Sequence, residues 1–228
     1  MSDYYLSILQ GALLTVAVSL ASLAVSTVLG LLGATAKLSG KPPLVWISTV
    51  YTTVVRGIPE LVLMLLIFYG AAIGINSFFE SIGSDFTLDL NPFVAGVATL
   101  GFIYGAYMTE TFRGAIMAVP KGQMEAGLAY GMSPLRVFLR ITFPQMVRFA
   151  LPSFSNNWLV LVKSTALVSV IGLNDVMYRA DTAKSITQEP FTVYAVVGGI
   201  FLAITSVSDF ALKRLEKRYS TGVRETEL

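Results

Sequence analysis

Ionisable and hydrogen-bonding side chains set inside apolar runs carry whatever chemistry this chain performs, because each is costly in hydrocarbon and needs a partner or a purpose. Glu110 and Arg113 lie three residues apart in the run Pro92–Val119, within helical reach of one another. Counting back from Val119 at about 1.5 Å per residue places Glu110 near mid-membrane. Two readings stand: a structural Glu110–Arg113 pair facing the bundle, or a Glu110 that faces a passing solute. A polar stripe of Asn156, Asn157, Lys163 and Ser164 marks another run. Its Asn156, Asn157 and Ser164 either bond across helices or line a small pocket. Arg56 and Glu60 flank the Gly57-Ile58-Pro59 break at i,i+4 spacing and are expected to pair at the start of a span.

Other chemistries are excluded. The sequence has no His and no Cys, which removes imidazole acid–base work, thiolates and disulfides. It has no G-x-x-x-x-G-K-[ST] phosphate loop, so no ATP hydrolysis is expected of this chain itself. A Ser/His/Asp set, a metal cluster and a paired carboxylate are all missing, which disfavours a membrane enzyme. Nothing points to nucleic acid.

The elements that must position these residues follow from composition. The 228 residues are 54% hydrophobic and 13% charged, against about 45–50% apolar and roughly 25% charged in soluble domains. Apolar runs over Leu6–Ala36, Ile58–Ile75, Pro92–Val119, Phe149–Ile171 and Phe191–Leu212 are long enough to span lipid. Lys41–Arg56, opened by two prolines, is expected to be an elbow or interfacial helix. The first run has no basic leader and is expected to be a retained span, not a cleaved signal. Lys37 and Lys41 in the first connection, Lys121, Arg136, Arg140 and Arg148 in the third, and Lys213, Arg214, Lys217, Arg218 and Arg224 in the tail mark the cytoplasmic side. Asp3 at the N-terminus and Glu80, Asp85 and Asp89 in the second connection mark the outer side, and the fourth connection, Asp175 to Gln188, is mixed. The expected fold is an all-α integral membrane protein with five transmembrane helices, N-terminus outside and C-terminus inside, forming one transmembrane domain over residues 1–228. Small residues recur at intervals of four: Ser22, Ser26, Gly30 and Ala34 in the first span, and Gly101, Gly105 and Thr109 in the third. Such rows let backbones approach closely, either within this chain or against a second subunit.

The most informative segment is the cytoplasmic connection Pro120–Pro144. Lys121 to Tyr130 favours helix, and Gly131 is placed to cap its C-terminus. After the break at Gly131–Pro134, Leu135 to Phe143 resumes as a basic amphipathic helix with Arg136 and Arg140 four apart. Two short helices at an angle would make a rigid knob for a partner to grip.

This segment resembles the signature loop of the inner-membrane subunits of ATP-binding-cassette importers: E-A-A, three residues, G, nine residues, I-x-L-P. Here Glu125-Ala126-Gly127, Gly131 and Ile141-Thr142-Phe143-Pro144 keep every interval, with glycine for the third residue and phenylalanine for the leucine. The glycine is expected to loosen the short helix slightly. Arg56-Gly-Ile-Pro-Glu-Leu61, Gly105–Gly114, Ala118–Gly122 and Lys163–Ser169 are similar to the polar amino-acid branch, in particular its Q-type permease subunits. The resemblance implies docking of a separate ATPase on Glu125, Ala126, Gly131, Met132, Ser133, Arg136 and Arg140. It also implies an ATPase dimer carrying ATP and magnesium, an M-type permease partner or a second copy of this chain, and a periplasmic amino-acid-binding protein, all at a bacterial inner membrane. It implies uptake of a polar, basic amino acid, for which Glu110, Asn156, Asn157 and Ser164 are the candidate contacts. Some family members carry aspartate at the position of Ser164, so Glu110 or a partner's acid is expected to supply the negative charge here. The competing expectation is an ion-gradient carrier using Glu110 as its proton site, against which stand the small number of spans and the lack of an inverted repeat.

Overall fold

A computed structural model describes residues 2–84, 87 and 90–219; Asp85, Asp89 and Arg224 lie outside the described residues, as does the side chain of Asp3. In order, the helices are α1 (Ser2–Leu38), α2 (Pro42–Gly57), α3 (Glu60–Ser81), α4 (Pro92–Met117), α5 (Lys121–Ala129), α6 (Pro134–Val137), α7 (Phe143–Ser164), α8 (Val176–Thr187) and α9 (Pro190–Tyr219). A π-helical turn (Phe138–Thr142) joins α6 to α7, and a 3₁₀ segment (Thr165–Ile171) continues α7. Five helices are long and apolar enough to cross a membrane: Tyr4–Leu38, Glu60–Ser81, Pro92–Met117, Pro134–Ile171 and Pro190–Tyr219. The expected spans are all present, but the second, fourth and fifth run further than the apolar residues alone suggested, because helix persists past the hydrocarbon into polar ends.

The central helix is α4. Asn91 caps it, its side chain accepting from the amides of Phe93 and Val94, and Pro92 occupies the first turn, where its missing N–H is not needed. Leu100, Ile103, Tyr104, Ala106 and Met108 are fully buried between α1, α3 and α7. The two rows of small residues face each other within this one chain. Gly101 lies against Val25, Gly105 against Leu29, Gly30 against Met108 and Gly33 against Thr109, with Ser22, Ser26 and Ala34 fully buried. This resolves their role as scaffold packing, since contact within the subunit consumes both rows.

The same contacts fix helix directions. Numbers rise together along α1 and α4, so these run parallel, whereas Asn157 meets Thr111 and Val168 meets Gly96, so α7 runs the opposite way. Alternating crossings satisfy both. The elbow expected between the first two spans is α2, which leans across α1 and α4: Ser48 donates to the Gly33 carbonyl at 2.9 Å, and Tyr51 to the Phe102 carbonyl at 2.5 Å.

Candidate functional site

The break between α2 and α3 follows from Pro59. A residue before proline is pushed out of the helical region, and Ile58 is extended at φ −111°, ψ 139°; Pro59 itself has ψ 136°. The expected Arg56–Glu60 pair therefore does not form, because i,i+4 proximity needs an unbroken helix. Instead the Arg56 guanidinium stacks over the Tyr107 ring, 5.3 Å from its centroid. The Glu60 carboxylate turns to α4 and α7. It accepts from the Tyr104 hydroxyl at 3.0 Å and from the Ser164 hydroxyl at 2.6 Å, while the Tyr104 and Ser164 oxygens lie 2.7 Å apart. Tyr104 and Tyr107 are neighbours, with ring centroids 5.6 Å apart. Among the described residues neither Arg56 nor Glu60 has an ion-pair partner.

Glu110 is differently placed. Arg113 Nε donates to its Oε2 at 2.9 Å, the pair expected from sequence. Lys37 Nζ also reaches its Oε1 at 2.5 Å and Thr52 Oγ1 at 2.7 Å. Lys37 closes the last turn of α1, so Glu110 lies toward the cytoplasmic end of the bundle, not at mid-membrane. With two cations on one carboxylate, Glu110 has no charge left for a cationic ligand. Lys37 was expected to serve only as a cytoplasmic topology signal, yet its side chain is just 12% exposed. The signal was present in its spacing: Ser26, Gly30, Gly33 and Lys37 continue one helix face.

The polar stripe on α7 divides. Asn157 donates to Thr111 Oγ1 at 3.0 Å, a bond between spans. Asn156 is exposed and, together with Asn157, lines a cleft of about 550 Å³ shared with Arg56, Tyr107, Glu110, Thr111 and Ser153, so three of the four expected contacts, Glu110, Asn156 and Asn157, do come together. Ser164 does not join that cleft; it lies on nearly the same face as Asn157 but about 10 Å further along the helix, where it belongs to the Glu60–Tyr104 cluster. Of the anticipated single pocket, Glu110, Asn156 and Asn157 thus share one cleft, while Ser164 sits at a different depth with Glu60 and Tyr104, the two linked through Tyr104 and Tyr107.

At the cytoplasmic end, α5 closes in a paired-bond cap. The Gly131 amide donates to the Leu128 carbonyl at 2.9 Å and the Met132 amide to Gly127 at 3.1 Å, with Gly131 left-handed at φ +78°. Ser133 and Pro134 then start a new helix. The expected second short helix is instead the foot of the fourth span, since Pro134–Ile171 is one uninterrupted helical rod. The π turn makes this possible: the Phe143 amide reaches the Phe138 carbonyl, so the register shifts just before Pro144. Gly127 also has a more definite role than loosening the helix. A Cβ there would meet Ile141 Cδ1 at 2.7 Å and Val137 Cγ2 at 3.1 Å, so glycine lets α5 lie close against the rod. Glu125, Ala126, Ser133, Arg136 and Arg140 remain exposed, and Met132 is half-buried. Tyr130 (90% exposed), Leu135 and Leu139 add an apolar surface.

At the opposite end α8 is fastened to α1. Arg179 donates to the Ser7 carbonyl at 3.1 Å, and Gly11 lies directly under the Asp175–Val176 backbone. Asp175 caps α8 by accepting from the Tyr178 amide at 2.9 Å. It is fully buried, its Oδ2 has no hydrogen-bond partner, and burial pushes its carboxyl up to about 6.

A five-span helical subunit with a capped loop projecting from its cytoplasmic face, and unpaired charges straddling a broken helix inside, has the features of a transporter's membrane component. Residues 26–221 match the family described as "Binding-protein-dependent transport system inner membrane component", and the chain belongs to that family. It is 52% identical over 221 residues to the histidine/lysine/arginine/ornithine transport system permease protein HisQ of Salmonella typhimurium, covering 97% of this chain and 96% of the relative. It is 37% identical to the arginine ABC transporter permease protein ArtQ of Haemophilus influenzae, covering 96% of each. The crystal structure of an amino acid ABC transporter with histidines superimposes with a TM-score of 0.79 at 29% identity, covering 96% of both chains.

Proposed function

We propose that this chain is one permease subunit of an ATP-driven importer that carries basic amino acids, of the histidine, lysine, arginine and ornithine class, across a bacterial inner membrane. The observation that carries the substrate reading is the Glu60 carboxylate. It is half-buried within the bundle, held by the hydroxyls of Tyr104 and Ser164, and no described cation neutralises it. An uncompensated carboxylate in low dielectric favours an arriving cation. The guanidinium or ammonium of a basic amino acid would meet Glu60, while Arg56, equally unpaired, would take the α-carboxylate along the Tyr104–Tyr107 surface. Asn156 lies beside Arg56 as a further polar contact. The names of the HisQ and ArtQ relatives agree with this substrate class.

Energy would enter at residues 120–144. The Glu125–Gly131 turn, with Met132, Ser133, Arg136 and Arg140, would seat in an ATPase dimer that carries the ATP and magnesium. A periplasmic binding protein would deliver substrate outside, and a second permease subunit would complete the pathway. The test is ATP-driven uptake by the reconstituted complex of arginine against citrulline, its uncharged isostere. Charge-assisted bonds contribute about 1.5–3 kcal/mol, so Glu60→Gln should reduce the arginine preference about tenfold or more, whereas Glu110→Gln should preserve it. Undiminished arginine preference in Glu60→Gln would sink the substrate reading. Transport by the purified chain alone, driven by a proton gradient, would sink the ATP-driven one.

A further inference from the structure

Between the Glu60 cluster and the cytoplasm lie two clefts that share Arg56, Tyr107 and Glu110. One is the cleft that Asn156 lines; the other, of about 510 Å³, adds Lys37, Thr52 and Thr53. Tyr104, which holds Glu60, and Glu110 are six residues apart on α4, so Glu110 stands about 9 Å nearer the cytoplasmic end. A solute released from Glu60 toward the cytoplasm passes this level.

Among the described residues, Glu110 is the one carboxylate lining either cleft. Arg113 Nε, 2.9 Å from its Oε2, is enough to neutralise it. Lys37 Nζ nevertheless turns in from the end of α1 to Oε1 at 2.5 Å, held also by Thr52 Oγ1 at 2.7 Å. Withdrawing an ammonium from water toward a charge already balanced is costly, and a lysine that only marked the cytoplasmic side would stay in solvent. The Lys37 ammonium is the group that ends a lysine or ornithine side chain, and it sits where such a side chain would meet Glu110. Tethered there, it competes at an effective concentration on the order of millimolar. With Arg56 beside them, three cations surround one carboxylate, and this level repels a free cation. We propose that Lys37 masks Glu110 against the basic side chain of the transported amino acid, so that the inner clefts release substrate to the cytoplasm and do not retain it on return. This assignment rests on the reading of the chain as a carrier of basic amino acids.

The test uses the complete complex in proteoliposomes with ATP inside. It reads how strongly internal arginine, against internal citrulline, inhibits each protein's own ATP-driven arginine uptake. Lys37→Met leaves Glu110 Oε1 open and should raise sensitivity to internal arginine about tenfold, the worth of one charge-assisted bond, with citrulline sensitivity unchanged. Lys37→Arg should stay near the wild type, and Lys37→Met combined with Glu110→Gln should return to it. Thr52→Val, which removes the hydroxyl steering Lys37, should raise arginine sensitivity about threefold. If Lys37 merely pins α1 to α2 and α4, Lys37→Met will lower Tm without separating arginine from citrulline, and that result overturns the proposal. Should Lys37→Met not assemble, unchanged sensitivity in Thr52→Val overturns it. A wild type with no ATP-driven arginine uptake would instead contradict the substrate reading, a failure distinct from normal uptake in which the variants gain no sensitivity.

Discussion

Gly30→Ala tests how tightly α1 and α4 are matched. A Cβ at position 30 would stand 2.4 Å from Met108 Cβ, 3.0 Å from the Met108 carbonyl carbon and 3.1 Å from Phe112 Cε2. Carbon atoms rest comfortably at about 3.5–4.0 Å, so the helices must part by roughly 1 Å. Met108 cannot swing aside, since its Cβ is fixed to the α4 backbone and the residue is fully buried. Overpacking of this kind costs about 1–3 kcal/mol. Because the clash is with a fixed Cβ, the cost falls at the upper end of that range, and the better helix propensity of alanine offsets about 1 kcal/mol of it, leaving a net loss of about 2 kcal/mol. For a chain of this size each kcal/mol lowers Tm by about 2–4 °C, which gives a drop of about 4–8 °C. The assay is thermal unfolding of the purified complex in detergent, with Gly198→Ala as control, because a Cβ there meets nothing within 4 Å. A Gly30→Ala protein that melts with the wild type, or a Gly198→Ala protein that falls equally, would refute the reasoning.

Two further perturbations follow from the loop ends of the molecule. Gly131→Val places a β-branched residue at φ +78°, which costs about 1–2 kcal/mol; ATPase retention in a pull-down should weaken while the melting of the spans stays near wild type, and equal retention would contradict the docking role of the capped turn. Asp175 holds its proton up to about pH 6 in the fold but only to about 3.9 in an open chain. Its contribution to stability is therefore greatest below about pH 4 and is lost as pH rises toward 6. Asparagine caps as well and does not ionise, so Asp175→Asn should flatten the dependence of Tm on pH across that interval; an unchanged slope would contradict the burial argument.

Much of the fold was legible because hydrocarbon imposes a one-dimensional rule: apolar runs span and basic connections stay inside. The small-residue rows could be seen as faces for the same reason, since spacing along one helix reports which residues share a side. What spacing does not report is which two helices meet, and the site depended on that. Glu60 looked like the partner of Arg56 until the extended Ile58–Pro59 backbone separated them. Glu110 looked available until Lys37, counted as a loop residue, turned inward to it. Ser164 stands out along its own helix, but its companions come from positions 60 and 104, far away along the chain. The Gly131 cap was readable because a left-handed glycine is a local requirement. The continuity of Pro134–Ile171 was not, because Pro134 and Pro144 looked like interruptions when one begins the rod and the other sits just after a π turn.

That continuity makes the rod a lever. Its side-chain bond to α9, Ser155 to Glu216 at 2.8 Å, offers a fulcrum. From there the arm to Pro134 spans 21 residues, about 32 Å, and the arm to Ser164 nine residues, about 14 Å. Motion about this point is geared down by slightly more than two, with force multiplied in the same ratio. A sideways push of about 3 Å at the capped turn would arrive at Ser164 as about 1.3 Å. Added to a 2.6 Å bond, that stretch is enough to release the Ser164 hydroxyl from Glu60. A coarse movement outside the membrane would thereby become a fine adjustment of the one carboxylate within it that no described cation balances.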